Sequence, residues 1–286
     1  MAENQVRLGP SPEEIAMDDR GWIELVHSPE IAEVDLPASD WPVGARMKVL
    51  SISAATGALT GELILPRGYR RPAGHYDTQV EWLVLEGSLR VGDTVRGYGY
   101  YEFSPAGTDV ERITVDEGCR ILFLCRARPD FLPAPGSVSE GRIQLDSEAM
   151  PWQATHIPGP PPGIILKLLR HVPETNEMTW ICGNPPRWDY PMLEYHDCIE
   201  ELYLIEGDIW LGNSGTMRPG SYLYRPPFIT HGPFYSHTGA VLFGWVPSLL
   251  VNHFPDDPRR TVEENIADYT RKQTAAAGAG AAGGGA

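Results

Sequence analysis

EYHDCIEELYLIEG, residues 194–207, is the stretch on which the reading of this chain turns. Two carboxylates and an imidazole, Glu194, His196 and Glu200, stand ahead of an apolar strand-like run that stops at a glycine. In an extended chain residues two apart share a face, so Glu194 and His196 project together, and Glu200 joins them after a turn over residues 197–199. A second run, GSYLYRPPFITH at residues 220–231, brings another imidazole, His231, behind a proline-rich turn. Any one of the four reads as well as a solvated charge or a loop cap. Converging from two neighbouring strand pairs, they are the donor types that a borderline divalent metal takes.

The first run recurs. Residues 81–87 (EWLVLEG) match 201–207 (ELYLIEG) 120 positions on, and Leu122 and Phe123 match Leu242 and Phe243 at the same spacing. Gly44 and Lys48 match Gly163 and Lys167 at 119, while Gly99 and Pro105 match Gly220 and Pro226 at 121. Similarity held in register over such a length marks a tandem duplication. Each copy is a series of short Val/Ile/Leu/Tyr-rich runs, such as MKVLSI, GELIL and RILFLC in the first and IILKLL, SYLYRP and AVLFGWV in the second. Turns rich among the 30 Gly and 27 Pro separate them. This pattern predicts an all-β chain of antiparallel strands closed into two tandem jelly-roll barrels, over residues 20–130 and 150–255. PGPPP at 158–162 reads as a stiff linker or strand entry. Charges around Ile266 and Tyr269 predict a short helix within the last segment, 256–286. Its final AAAGAGAAGGGA should be disordered, because it has almost no side chain to offset ordering entropy.

The two runs resemble the two motifs of the cupin superfamily. In the first, His196, Glu200 and Gly207 fit the second His, the Glu and the closing Gly, with three and then six residues between them. Glu194 stands where that motif has its first His. In the second, Gly220, Pro226 and His231 fit, and Phe228 stands where a Gly is common. GSYLYRPP at 220–227 is similar to the strand end of the anti-sigma zinc-sensor cupins and the acetylacetone-cleaving dioxygenases. The resemblance implies a bicupin with one mononuclear metal centre in the C-terminal copy, held by Glu194, His196, Glu200 and His231. Fe(II) is the metal it implies first, with Mn, Zn or Ni as alternatives.

Three functions follow from that resemblance and ligand set. The leading one is an Fe(II)-dependent dioxygenase, an oxidoreductase that cleaves a C–C bond in a small substrate able to chelate as an enolate or phenolate, with O2 as co-substrate. His196, Glu200 and His231 alone form a two-His-one-carboxylate set of the kind that leaves metal positions open. The second is a non-redox lyase or isomerase in which Glu194 acts as a general base instead of a fourth ligand. The third is a metal or small-ligand sensor, against which counts the lack of a recognisable DNA-binding partner domain. Tyr222, Tyr224 and Arg225 are candidates for orienting a substrate, although alternation lets only some of them face the cavity. Trp180, Trp188, Trp210 and Trp245 read as core and pocket walls, and His171, His237 and His253 as structural residues.

The first copy lacks the set. Aligned on Gly87 and Gly99, its ligand positions hold Gly74, Tyr76, Val80 and Val110. The string His75, Asp77, Glu81 is displaced by one residue, which sends side chains to the other face of a strand. This copy is expected to be a metal-free scaffold. A formal charge of -15 and a pI near 4.9 argue against a nucleic-acid partner. No apolar run reaches membrane-spanning length, and the N-terminus is acidic and proline-broken, so a cytoplasmic chain without a membrane partner is expected. Cys119, Cys125, Cys182 and Cys198 lack a CxxC spacing and read as thiols. An assembly of identical chains is also expected.

Overall fold

The computed structural model describes residues 19–36, 44–138, 140–155, 160–255 and 259–282. Residues 158 and 159 of the expected linker lie outside them. Among the described residues the chain is mostly β-strand, with one α-helix, Val262–Ala282. The expected closed barrels do not form. Among the described residues, two seven-stranded sheets, two four-stranded sheets and a two-stranded ribbon remain separate hydrogen-bonded units. Proline gives one reason: Pro226 and Pro227 follow the strand Ser221–Arg225 and have no N–H with which to continue its ladder.

The strand order of the two large sheets repeats. In the C-terminal half the order runs Ser221–Arg225, Glu200–Gly207, Ala240–Val246, Glu177–Asn184, Ile165–Val172. In the N-terminal half it runs Tyr100–Ser104, Val80–Gly87, Gly118–Cys125, Leu59–Pro66, Arg46–Ile52. The outermost strand beside Ser221–Arg225 is Ile23–His27, from the start of the chain, whereas Ile143–Asp146 lies beside Tyr100–Ser104. Boundaries at 20–130 and 150–255 therefore do not follow sheet membership, because each half lends an edge strand or takes one. Pairing with a strand from elsewhere removes an exposed sheet edge.

In each half the large sheet packs its apolar side chains on the four-stranded sheet, as Leu204, Leu223 and Leu242 do on Trp188, Leu211 and Phe234. The outer faces of the two large sheets bury a shared cluster that includes Leu83, Tyr101, Leu122, Tyr222 and Phe243. Within it sit the first residues of the repeated runs. Glu81 accepts hydrogen bonds from Tyr101 at 2.7 Å, Thr179 at 2.8 Å and Arg126 at 3.0 Å. Glu201 accepts from Tyr222 at 2.6 Å and from Thr60. Buried carboxylates are tolerated when paired in this way.

The helix begins with a reciprocal cap: the Thr261 N–H donates to Glu264 Oε2, and the Glu264 N–H to Thr261 Oγ1. It continues past the charged stretch as far as Ala282, where a disordered tail was expected. Alanine is the strongest helix former and extends a helix already nucleated by the turns before it. No helix among the described residues is long and apolar enough to cross a membrane.

Candidate metal centre

Glu194 and His231 are paired by reciprocal backbone hydrogen bonds in an isolated antiparallel bridge, which sets their side chains side by side. His196 follows two residues later. Ligand atoms of Glu194, His196 and His231 all lie within 4.8 Å of one another, and all three residues are buried. The His231 Nε2 to Glu194 Oε1 separation is 3.7 Å. Ligand atoms each about 2.1 Å from one ion stand roughly 3 to 3.5 Å apart, so small side-chain movements would bring these donors to a shared metal.

The ring orientations are fixed from behind. His196 Nδ1 faces the Val251 carbonyl at 3.2 Å, and His231 Nδ1 faces the Ile229 carbonyl at 2.8 Å. A carbonyl only accepts, so each Nδ1 carries a proton, and Nε2 is the nitrogen that presents a lone pair in the neutral ring. Both Nε2 atoms are buried without a hydrogen-bond partner among the described residues. Two orphaned imidazole nitrogens beside a carboxylate are the donor set of a borderline divalent cation, oriented as ligating histidines are. Burial, then the charge of Arg225 and the neighbouring His196, push His231 well below the ordinary histidine range and hold it neutral. Burial also raises the Glu194 carboxyl, a cost that a bound cation would offset. Glu194 Oε2 accepts from Asn252 at 2.7 Å and Tyr190 at 3.1 Å, leaving Oε1 toward the histidines.

Glu200 stands at the edge of this group. Its Oε1 is 3.8 Å from His196 Nε2 and its Oε2 is 4.0 Å from His231 Nε2, yet Oε2 accepts a hydrogen bond from Arg225 at 3.0 Å. Glu200 and Arg225 are direct cross-strand partners. Arg225 also donates two hydrogen bonds to Glu24, at 2.9 and 3.1 Å, from the strand that crosses from the other half. Three carboxylates with one guanidinium leave a surplus of negative charge that a dication would balance.

These groups sit in a cavity of about 120 Å³ whose walls are otherwise mainly apolar, among them Trp180, Trp188, Leu202, Leu242 and Phe234. Trp188, Tyr190 and Phe234 stack with interplanar angles of 4 to 15°. Arg225 and Leu223 face the cavity, while Tyr222 and Tyr224 face the opposite half. Trp245 also turns to that opposite face, under Arg126, and Trp210 is exposed, so neither is a pocket wall. Cys198 is buried behind the site, with its thiol pushed up chiefly by burial.

The C-terminal helix reaches the ligand loops. Asn265, fully buried, donates from Nδ2 to the Phe228 carbonyl and to Thr230 Oγ1, both at 2.8 Å. Phe228 N–H in turn donates to the His196 carbonyl at 2.7 Å, and its φ of 68° explains why glycine is common at this motif position. Phe228 adopts it wedged between Tyr195 and Tyr269. Asn265 thus braces the turn whose Ile229 carbonyl orients His231. Asn265→Ala is expected to weaken metal binding about tenfold, the usual scale for an outer-shell partner. Competition with a chromophoric chelator measures this, and unchanged affinity would show that the helix does not hold the loop.

In the N-terminal half Gly74 and Val110 form the bridge that corresponds to Glu194 and His231. His75 Nδ1 instead faces the Ala134 carbonyl, Asp77 accepts from the Asp130 N–H, and Glu81 points to the other half. Tyr76, Arg71 and Phe131 pack together where the cavity lies in the second half.

A family model described as "Domain of unknown function (DUF4437)" matches residues 24–246. The chain belongs to the DUF4437 family. No curated protein matches the sequence. Among solved structures, this DUF4437 chain is similar to a Nostoc punctiforme protein provisionally described as a dioxygenase. The two share 20% identity and a TM-score of 0.74, over 83% of this chain and 88% of that one. It is also similar to oxalate decarboxylase from Lactobacillus farciminis, at 9% identity and TM-score 0.54, over 81% and 88% of the two chains. Escherichia coli YlbA matches at 11% identity and TM-score 0.53, over 83% and 97%. At these identities the likeness carries the fold alone.

Proposed function

We propose that this protein is a duplicated cupin with one mononuclear metal centre, and that it acts as an Fe(II)-dependent dioxygenase. Its substrate would be a small molecule with an enolisable carbonyl or phenolic head. The observation that carries this reading is the pair of buried, unpartnered Nε2 atoms of His196 and His231 beside Glu194 in an apolar cavity. Glu194, His196 and His231 would hold the metal, with Glu200 as the fourth candidate ligand. A redox-active ion bound there would supply the means of activating dioxygen and of polarising the chelated carbonyl.

The protein's own contributions are positional. The Val251 and Ile229 carbonyls fix the imidazoles, and the aromatic stack and leucines keep bulk water from the reacting groups. Arg225 holds Glu200 in place. Tyr190 and Asn252 hold Glu194 with Oε1 turned to the histidines, as a ligand or, if the metal leaves it unbound, as a base for an enolisable substrate.

That seating of Glu194, together with its raised carboxyl, favours a second reading as a non-redox lyase or isomerase. Oxygen separates the two. Protein loaded anaerobically with Fe(II) is expected to consume O2 in step with a diketone, hydroxyketone or phenol from a small panel, and to fall silent with Zn, which has no accessible redox change. Full turnover without oxygen would eliminate the dioxygenase and leave the lyase.

A further inference from the structure

Asn184 ends the strand Glu177–Asn184, and alternation puts it on the cavity face with Trp180 and Cys182. Cross-strand register gives its height. Gly207, Ala240 and Asn184 stand level, as do Leu202, Gly244 and Trp180, while Glu200 lies two residues beyond Leu202 in the other direction. At backbone level the acidic end and Asn184 are thus on the order of 20 Å apart along the sheet. Asn184 is 8% exposed, and its Oδ1 and Nδ2 are both buried with no hydrogen-bond partner among the described residues. A primary amide left so among apolar side chains is costly unless a ligand pairs with it. The fold does not require it: the equivalent place in the N-terminal sheet, level with Cys119 and Gly87, holds Leu65.

We infer that Asn184 forms the distal subsite of the substrate cavity, recognising an uncharged, mainly apolar molecule that carries a hydroxyl or a primary carboxamide at the end remote from its chelating head. This rests on the reading of the metal centre given above. The amide offers two donors and one acceptor, so its complement must both donate and accept. A carboxylate accepts only and would face Oδ1 with like polarity. Water held at the amide would be displaced without loss by a group that reproduces its hydrogen bonds.

The test uses 2,4-diketones with unbranched tails of increasing length that end in methyl, hydroxyl or carboxylate, titrated calorimetrically into metal-loaded protein. Wild type is expected to prefer the hydroxyl end over the methyl end about tenfold at one tail length, and to reject the carboxylate. Asn184→Leu should abolish that preference and raise Tm by roughly 2 °C, since it removes unpaired buried polar atoms. Asn184→Ser, which keeps a smaller polar group, should shift the preferred length. A hydroxyl preference that survives in Asn184→Leu, or that appears at no length in wild type binding the methyl-ended probes, overturns the subsite. If wild type binds none of the diketones, the chelating-head reading fails instead and the melting temperatures decide the subsite. Asn184→Leu melting below wild type would then assign the amide to the fold, and melting above would keep it for a ligand.

Discussion

Protein in which His196 and His231 are both changed to alanine is expected to lose its metal altogether, from about one divalent ion per chain to a trace. Each histidine supplies a buried Nε2 with no hydrogen-bond partner among the described residues, and removing both leaves only carboxylates, one of them already engaged by Arg225. Ligand sets reduced in this way do not hold a borderline ion against buffer. Elemental analysis of protein purified without oxygen makes the measurement. The matched control alters His75 and Asp77, which engage the Ala134 carbonyl and the Asp130 N–H and are expected to leave the metal content unchanged. Loss of metal from the control, with retention in the double histidine variant, would move the centre to the other half.

Arg225→Met is expected to cost about 3 to 5 kcal/mol of stability, the usual scale for removing one partner of a buried ion pair. Arg225 is buried and bonded to Glu200 and Glu24, which lie on strands from opposite halves of the chain. Without the guanidinium both carboxylates lose their counter-charge. Adding Glu24→Gln to Arg225→Met should recover part of the loss, because one uncompensated charge is then removed. Urea unfolding curves report the differences. Metal content in the same samples asks a second question, since Glu200 freed from Arg225 can turn both oxygens to the histidines. Unchanged stability in Arg225→Met would mean that this chain of charges is solvated and does not tie the halves together.

The separation of the two variants by kind of effect follows from position. His196 and His231 sit in loops beside the strands, so their loss should leave the sheets standing. Arg225 ends a central strand whose neighbours are Glu200–Gly207 on one side and Ile23–His27 on the other. Its loss is therefore felt by the fold before it is felt by the site.

Legibility in the sequence followed the range of the interactions. Alternating apolar runs, glycine turns and the 120-residue repeat are local patterns, and they were sufficient for an all-β chain and for the grouping of Glu194, His196 and His231. Period-two alternation fixes which side of a strand a residue takes relative to its neighbours. It does not say which side meets the cavity, so Arg225 could not be told from Tyr222 and Tyr224 until the sheets were packed. The pairing of Glu24 with Arg225 joins residues 201 positions apart, and Asn265 reaches Phe228 from a helix with no motif of its own. Neither partner has a local signal. Sequence alone determined which carboxylates and imidazoles stand near one another in the chain and at what spacing. Tertiary structure decided that the sheets stay open, that the first strand crosses to the second half, and that Glu200 is shared with Arg225, because each depends on contacts between segments far apart in the chain.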